Sequence, residues 1–147
     1  QFQSAIYTFQ DKYRALPGDF DKAEDRFDDT NVSNGGGNGA IGNAERGQVF
    51  LHLIEAGLIS GDSDGSDSTS GYLTNDFGGT IIIDDNAPFT GTLNVCYSNL
   101  DKEQAEFLDL TIDGNPDPAE MTTSGDVQEA DGAAAYDASN TVCVRLQ

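Results

Sequence analysis

Apolar residues in the first twenty positions recur at alternating intervals of four and three. They are Phe2, Ile6, Phe9, Tyr13, Leu16 and Phe20. This spacing places them on one face of an amphipathic helix. Pro17 and Gly18 follow at once, and proline disfavours helical geometry at the residue before it. The pattern therefore predicts a helix over residues 1–16, with one buried face.

Two further helical patterns precede residue 60. Asp19 is placed to cap a short helix that ends near Phe27, and Asn43 to cap a helix in NAERGQVFLHLIEAGLI. Gly57 occupies the position where a left-handed residue ends a helix. The only histidine, His52, is predicted to be a helix-surface residue rather than a ligand or a base. The apolar stripe beside it consists of Val49, Phe50, Leu53 and Ile54.

Three segments, GGTIIID, TLNVCYS and TVCVRL, have the pattern of strands. In the last two, the cysteines Cys96 and Cys143 alternate with the apolar residues of their strand. If these strands are neighbours, both cysteines point to the same side of the sheet. That arrangement suits a cross-strand disulfide, but the pattern alone also allows two thiols.

A fourth helix is predicted in LDKEQAEFLDLTIDG, between the second and third strands. Asp101 and Gln104 have the spacing of a capping box. Leu108 and Ile112 continue the apolar face, and Gly114 ends the helix. The acidic stretch from there to the last strand has no period and is predicted to be a long surface loop. Helical patterns first, followed by strand patterns with one helix between them, predict an α+β fold.

The charge of the chain excludes several functions. It contains 26 acidic and 7 basic residues, a formal charge of −19. Such a surface repels phosphate backbones and anionic lipid heads, so nucleic acid is not an expected partner.

One histidine without a Ser-His-Asp pattern and the lack of a CxxC motif indicate that the protein is not an enzyme. No apolar run of 18 residues is present.

Two acidic clusters are the candidate metal ligands, and calcium is the candidate ion. The first consists of Asp62, Asp64 and Asp67, but its spacing lacks the closing glutamate of a twelve-residue calcium loop. The second lies in DGNPDPAE. Its candidate ligands are Asp113, Asn115, Asp117 and Glu120. A calcium-dependent cell-surface binding module is therefore an alternative function.

The phrases KYRALPGDF, HLIEAGLISG and TIDGN together resemble the soluble part of type IV pilins and the related type II secretion pseudopilins. The similarity covers about the first 60 residues and the region from Leu93 to Asn115. It implies an N-terminal helix packed on an antiparallel sheet, with Phe9, Tyr13 and Leu16 in the helix–sheet core. It also implies that an apolar helical half precedes residue 1 and is missing here.

The resemblance further implies a disulfide near the C-terminus that bounds a variable region. We therefore predict that Cys96 and Cys143 are bonded, which favours a pilin over a pseudopilin. The predicted organisation is a single domain over 1–147. Within it, 1–16 is the lower half of the helix, 17–70 a helical and Gly-rich connection, and 71–147 the sheet and disulfide-bounded region.

The function implied is that of a structural subunit in an extracellular pilus. Its partners would be identical subunits, joined through the missing helix, and an inner-membrane assembly machinery. The precursor would reach the cell surface through the inner membrane, and membrane contact would involve only the missing helix. A type II secretion pseudopilin is the other alternative.

Overall fold

The computed structural model describes residues 2–61, 72–86, 88–114, 125–131 and 135–146. Over these ranges the chain is α+β, with helices, a five-stranded antiparallel sheet and one disulfide, which confirms the predicted fold class at that level. The chain divides into two compact units, Gln1–Leu73 with Gln147 and Thr74–Leu146. We call them the first and the second unit. The predicted single domain stays a prediction.

The helices among the described residues are α1 Phe2–Tyr13, α2 Ala23–Arg26, a 3₁₀ helix Arg46–Gln48, α3 Val49–Glu55 and α4 Lys102–Ile112. The strands are β1 Leu73–Thr74, β2 Thr80–Asp84, β3 Asn94–Leu100, β4 Val127–Glu129 and β5 Asn140–Arg145.

Helix α1 ends three residues before the predicted end at position 16. Arg14 adopts a left-handed conformation with φ 58°, and its N–H still donates to the Gln10 carbonyl at 2.8 Å. A left-handed residue cannot continue a right-handed helix, so the chain turns away before Pro17. The predicted boundary was therefore wrong, although the predicted amphipathic face is present. Ile6 and Phe9 on that face are buried.

The core of the first unit is an aromatic cluster. Phe9 lies at its centre, with ring centroids 6.0 Å from Phe20, 6.4 Å from Phe27 and 6.1 Å from His52. The half-buried ring of Tyr13 is tilted by 41° against that of Phe9, with the two centroids 4.5 Å apart. Aromatic pairs at these separations add to the free energy gained from burial. The aromatic cluster therefore joins the end of α1 to α3 and to the segment around α2.

Helix α3 ends as predicted and begins differently. Gly57 has φ 71°, its N–H donates to Ile54, and the N–H of Leu58 donates to Leu53. This pair of hydrogen bonds is a Schellman motif, which only a left-handed residue permits. The predicted cap at Asn43 was wrong, because the 3₁₀ helix intervenes and α3 begins at Val49.

The five strands follow the order β1-β2-β3-β5-β4. Strands β3 and β5 are adjacent and antiparallel, with Val95 opposite Val144 and Cys96 opposite Cys143. Successive side chains of a strand point to opposite faces, so the valines share one face and the cysteines the other. The predicted alternation is confirmed. Strand β4, which pairs with β5, falls in the stretch predicted to be a surface loop, so that prediction was wrong.

Helix α4 has the predicted capping box. The Asp101 carboxylate accepts the Gln104 N–H, and the Gln104 side chain accepts the Asp101 N–H. The helix packs on the sheet through a cluster of buried residues that includes Leu100, Ala105 and Val142. Ile112 was predicted on this buried face, but it is 45% exposed because it stands at the last turn of the helix.

Candidate functional site

The predicted disulfide is present. Cys96 of β3 and Cys143 of β5 are bonded, with their Cα atoms 3.9 Å apart. Both cysteines are buried, and Phe89 packs over them. The Arg145 guanidinium lies 5.0 Å from the centre of the Phe89 ring. The bond therefore joins two neighbouring strands in a buried setting that shields it from solvent.

The disulfide joins cysteines 47 positions apart in the sequence and encloses a segment that contains α4 and β4. Inside it, Asp113 at the end of α4 accepts the N–H groups of Asp126 and Val127, each at 3.0 Å. Gly125 approaches so closely that a side chain there would overlap the Asp113 carboxylate. Asp113 therefore fastens the start of β4 to the end of α4.

Asp113 is the only one of the four predicted calcium ligands whose surroundings are described. Asn115, Asp117 and Glu120 lie outside the described residues, as do Asp62, Asp64 and Asp67 of the other acidic cluster. Within the described ranges, no group of three or more His, Cys, Asp or Glu side chains is arranged to hold a metal ion. The calcium site stays a prediction.

Two carboxyl groups are buried beside α4 and β4, at positions that the sequence did not single out. The Tyr136 hydroxyl donates a hydrogen bond to Asp109 Oδ2 at 2.8 Å, while Asp109 Oδ1 has no hydrogen-bond partner among the described residues. Burial raises the pKa of Asp109 to about 6, although the Tyr136 bond opposes this. Burial, and then the nearby Asp131, raise the pKa of Glu129 to about 7.

The first unit contains a second polar arrangement, around the Gly- and Asn-rich segment 31–47. The Asp19 carboxylate accepts the N–H groups of Asn38 and Gly39, at 2.8 and 2.7 Å. Glu45 accepts those of Gly36 and Gly42, at 2.7 and 2.9 Å. The predicted role of Asp19 as a helix cap was therefore wrong, because its carboxylate is committed to this segment. We call residues 33–42 the anchored loop.

His52 joins the anchored loop to the turn after α1. Its Nδ1 accepts the Gly18 N–H at 2.9 Å, and its Nε2 lies 3.0 Å from the Ser33 carbonyl. Because a backbone N–H donates to Nδ1, the ring is neutral with its proton on Nε2. Burial lowers the pKa of His52 to about 4, and the bond to Ser33 opposes this.

The expectation that His52 lies on the helix surface was wrong, since the ring is fully buried. Its neighbours Leu51 and Leu53 are also buried, so α3 has apolar surroundings on more than one face. With both ring nitrogens bound to backbone groups, His52 is not available as a general base. The sequence signal that pointed to this was the unbroken run VFLHLI, which is typical of a buried helix rather than of an amphipathic one.

The predicted helix–sheet core residues divide by exposure. Phe9 is fully buried in the aromatic cluster, whereas Tyr13 and Leu16 are half-buried. The ring contacts of Phe9 and Tyr13 lie within the first unit. Packing of these residues on the sheet stays a prediction.

Compared with known proteins, the chain matches no family model, no curated protein and no solved structure. Among the described helices, none combines the length and the apolar character needed to cross a bilayer. The functional interpretation therefore rests on the residues and the geometry given above.

Proposed function

We propose that the chain is the globular part of a structural subunit of an extracellular filament of the type IV pilin kind. One observation carries the proposal: the order of elements along the chain. An amphipathic helix α1 comes first, a loop-rich region follows, and the last strand of an antiparallel sheet carries Cys143 bonded to Cys96. The three phrases that resemble pilins begin at the end of α1, in the second half of α3 and at the end of α4.

The bond between Cys96 and Cys143 favours a pilin over a type II secretion pseudopilin. Pilins of this resemblance have a disulfide near the C-terminus, whereas many pseudopilins rely on calcium there. The enclosed segment contains α4 and β4, and the Asp113 carboxylate joins them by accepting two backbone N–H groups. A disulfide also belongs to an oxidising compartment, as a cell-surface filament requires.

In such a filament an apolar helix preceding Phe2 anchors the precursor in the inner membrane and later packs at the filament centre. Identical subunits then repeat the same heterologous contact. Each subunit has a charge of −19, so neighbouring globular parts repel one another. The apolar helices, together with screening salt, offset this repulsion. The function is structural, and no catalytic step is involved.

The decisive experiment examines the full-length gene product in its own cells. The proposal requires an apolar stretch of about 20 residues before Phe2, long enough to span a bilayer. Filaments sheared from the cell surface should contain this chain, detected by mass spectrometry and by gold-labelled antibody in electron micrographs. A charged residue placed in the middle of the apolar stretch should abolish the filaments, while the same change in an exposed loop should not.

Two results would overturn or redirect this proposal. Finding the chain only as a secreted monomer, with no filament, would overturn it. Loss of secretion of other proteins on gene deletion, without surface filaments, would identify the pseudopilin alternative. As a companion measurement, residues 1–147 alone should sediment as a monomer at low and moderate salt. A stable dimer that is independent of salt would show that the globular part itself carries the main assembly surface.

A further inference from the structure

The second unit has a groove on its surface that neither the disulfide nor the proposed filament contact uses. Its volume is about 270 Å³, and it lies between α4, the end of β3 and the turn before β2. The residues that line it are Phe77, Tyr97, Leu100, Gln104, Phe107 and Leu108.

The groove is open to solvent at two aromatic rings. Phe107 is 70% exposed and Phe77 is 48% exposed, which is unusual for phenylalanine in a soluble domain. Leu100, at the base, is buried. An apolar floor with exposed aromatic walls is typical of a binding surface, because partner side chains can displace water from both.

The size of the groove indicates what fits in it. Pockets that bind cofactors or drug-sized molecules have volumes of about 300–1,000 Å³ and several polar groups that fix the ligand. This groove is smaller, and Gln104 and Tyr97 are the only lining residues with a polar side-chain group. It therefore suits one aromatic side chain of a partner rather than a free small molecule.

The charge around the groove indicates what flanks that side chain. Asp76 adjoins Phe77, Asp101 adjoins Leu100, and Glu103 precedes Phe107 by one helical turn. All three carboxylates are exposed.

The basic side chains of the second unit do not balance these carboxylates. Residues 74–146 contain fourteen acidic and two basic residues, Lys102 and Arg145. Lys102 is paired with Glu106 at 3.7 Å, and Arg145 with Asp126. The exposed faces of the Phe77 and Phe107 rings also attract cations. A cationic partner is therefore complementary to this surface, and an anionic one is repelled.

We propose that this groove binds a basic peptide segment of another protein, with one aromatic side chain of that segment inserted between Phe77 and Phe107. The neighbouring lysines or arginines of the segment pair with Asp76, Asp101 and Glu103. A second copy of this chain is a poorer occupant, since two units with this charge repel each other. The binding is independent of the filament contact proposed above.

The test is a fluorescence titration of residues 1–147, at low salt, with the labelled pentapeptide acetyl-KFKFK-amide. Two companion peptides, KAKAK and EFEFE, separate the aromatic from the charge contribution. We expect saturable binding of KFKFK that weakens with added salt, and at least tenfold weaker binding of both companions. Backbone amide shifts in an NMR titration should concentrate on residues 76–78 and 97–108.

Substitutions locate the site. Phe107→Ser should weaken KFKFK binding at least tenfold, and Glu103→Gln about threefold. Leu110→Ser is the matched control, because Leu110 is 47% exposed on the same helix but does not line the groove. It should change the affinity less than twofold. Because both side chains are exposed, neither serine variant should unfold the protein, which circular dichroism checks.

Three results would overturn the proposal. KAKAK binding as tightly as KFKFK would show attraction by charge alone. An unchanged affinity in Phe107→Ser would place the peptide elsewhere. A dimer of the chain that sediments intact and dissociates in Phe107→Ser would identify a second copy as the occupant.

Discussion

The two units differ in how particular buried polar side chains are paired. In the first unit, the buried Asp19 and His52 bond to backbone groups of the anchored loop, and His52 also to the backbone of Gly18. In the second unit, Asp109 and Glu129 each keep one oxygen without a partner among the described residues.

The difference follows from how each unit is held together. The anchored loop pairs with no strand among the described residues, so polar side chains accept several of its backbone N–H groups, alongside the Phe20 and Asp19 carbonyls. The second unit has strand pairing and a disulfide, which stabilise it enough to tolerate carboxyl groups that are poorly solvated. The comparison predicts that the units respond to mutation, reduction and acid differently.

The largest effect should come from the aromatic cluster. Phe9→Ala removes a fully buried ring and should lower the free energy of unfolding of the first unit by about 3–5 kcal/mol. Urea unfolding followed by NMR, unit by unit, measures this. Tyr7→Ala on the same helix is the control: Tyr7 is exposed, so the change should stay near 0.5 kcal/mol. A loss below about 1 kcal/mol for Phe9→Ala would mean that the cluster is not the core of this unit.

Reduction of the disulfide should act on the second unit alone. Opening a loop of 47 residues costs about 4 kcal/mol in the chain-entropy account. Thermal melts with and without reductant should therefore show a large shift for the sheet and little change in the signals of the first unit. The Cys96→Ala, Cys143→Ala double variant is the control, since reductant should not alter its melt. Equal shifts in both units would show that they unfold together.

Acid should destabilise the first unit through His52. The pKa of His52 is about 4 in the folded chain and near 6.5 when unfolded, so the unfolded chain takes up the proton first. The neutral His52 ring therefore stabilises the folded state in full above pH 6.5. As the pH falls towards 4 this contribution is lost, and the free energy of unfolding decreases by about 3 kcal/mol in total. Because His52 is the only histidine, its NMR signals are assigned at once.

Two observations check the His52 prediction. Between pH 8 and 5 its ring signals should not titrate in the folded protein. The His52→Phe variant should be less stable at pH 8, where Gly18 and Ser33 lose a partner, but its stability should vary less between pH 6.5 and 4. A midpoint near 6.5 in the folded chain would show that the ring is solvated and the bond to Gly18 absent.

The smallest effect should come from Asp109. Acid should stabilise the folded chain through Asp109, whereas it destabilises the chain through His52. The pKa of Asp109 is raised to about 6, so the folded chain takes up the proton before the unfolded chain does. The destabilisation caused by the charged form is therefore present above pH 6 and is relieved as the pH falls towards 4. The asparagine of Asp109→Asn resembles the protonated carboxyl group. The substitution should therefore raise the free energy of unfolding by about 1 kcal/mol at pH 8 and by almost nothing at pH 4.

Asp113→Asn is the matched control for this last prediction. Asp113 accepts one backbone N–H group on each carboxylate oxygen, and an asparagine amide keeps only one of those acceptors, so Asp113→Asn should destabilise the second unit at pH 8. Denaturant unfolding at the two pH values compares both variants. A loss of stability in Asp109→Asn at pH 8 would show that its charged form has partners that match it.

Local patterns predicted the elements that depend on neighbours in the sequence. The capping box at Asp101 and Gln104 and the left-handed Gly57 need only a few adjacent residues, and both are confirmed. The alternation around Cys96 and Cys143 predicted that the cysteines share a face, and the resemblance to pilins supplied the prediction that they are bonded. Strand β4 was missed because its three residues are too short to show a period and depend on pairing with β5.

The buried polar side chains were missed for a different reason. Asp19 bonds with residues 19 and 20 positions away in the sequence, and His52 with residues 34 and 19 positions away. Nothing in the local pattern indicates such partners, so Asp19 was assigned to the nearest helix and His52 to a surface. The groove was not predicted either, because Phe77 and Phe107 come together only through the fold of the second unit.

The glycines of the anchored loop differ in how well they tolerate substitution, which affects how the loop can evolve. Its glycines give it the composition of a linker, where replacement and insertion are usually harmless. Yet a methyl group on Gly35 would overlap the Gly18 carbonyl and the Asp19 backbone, while one on Gly42 would meet only an ordinary contact at 3.6 Å from Glu45. Seven residues apart, one glycine is as constrained as a core residue and the other can vary. A lineage carrying this domain could diversify the surface at Gly42 while position 35 stayed fixed.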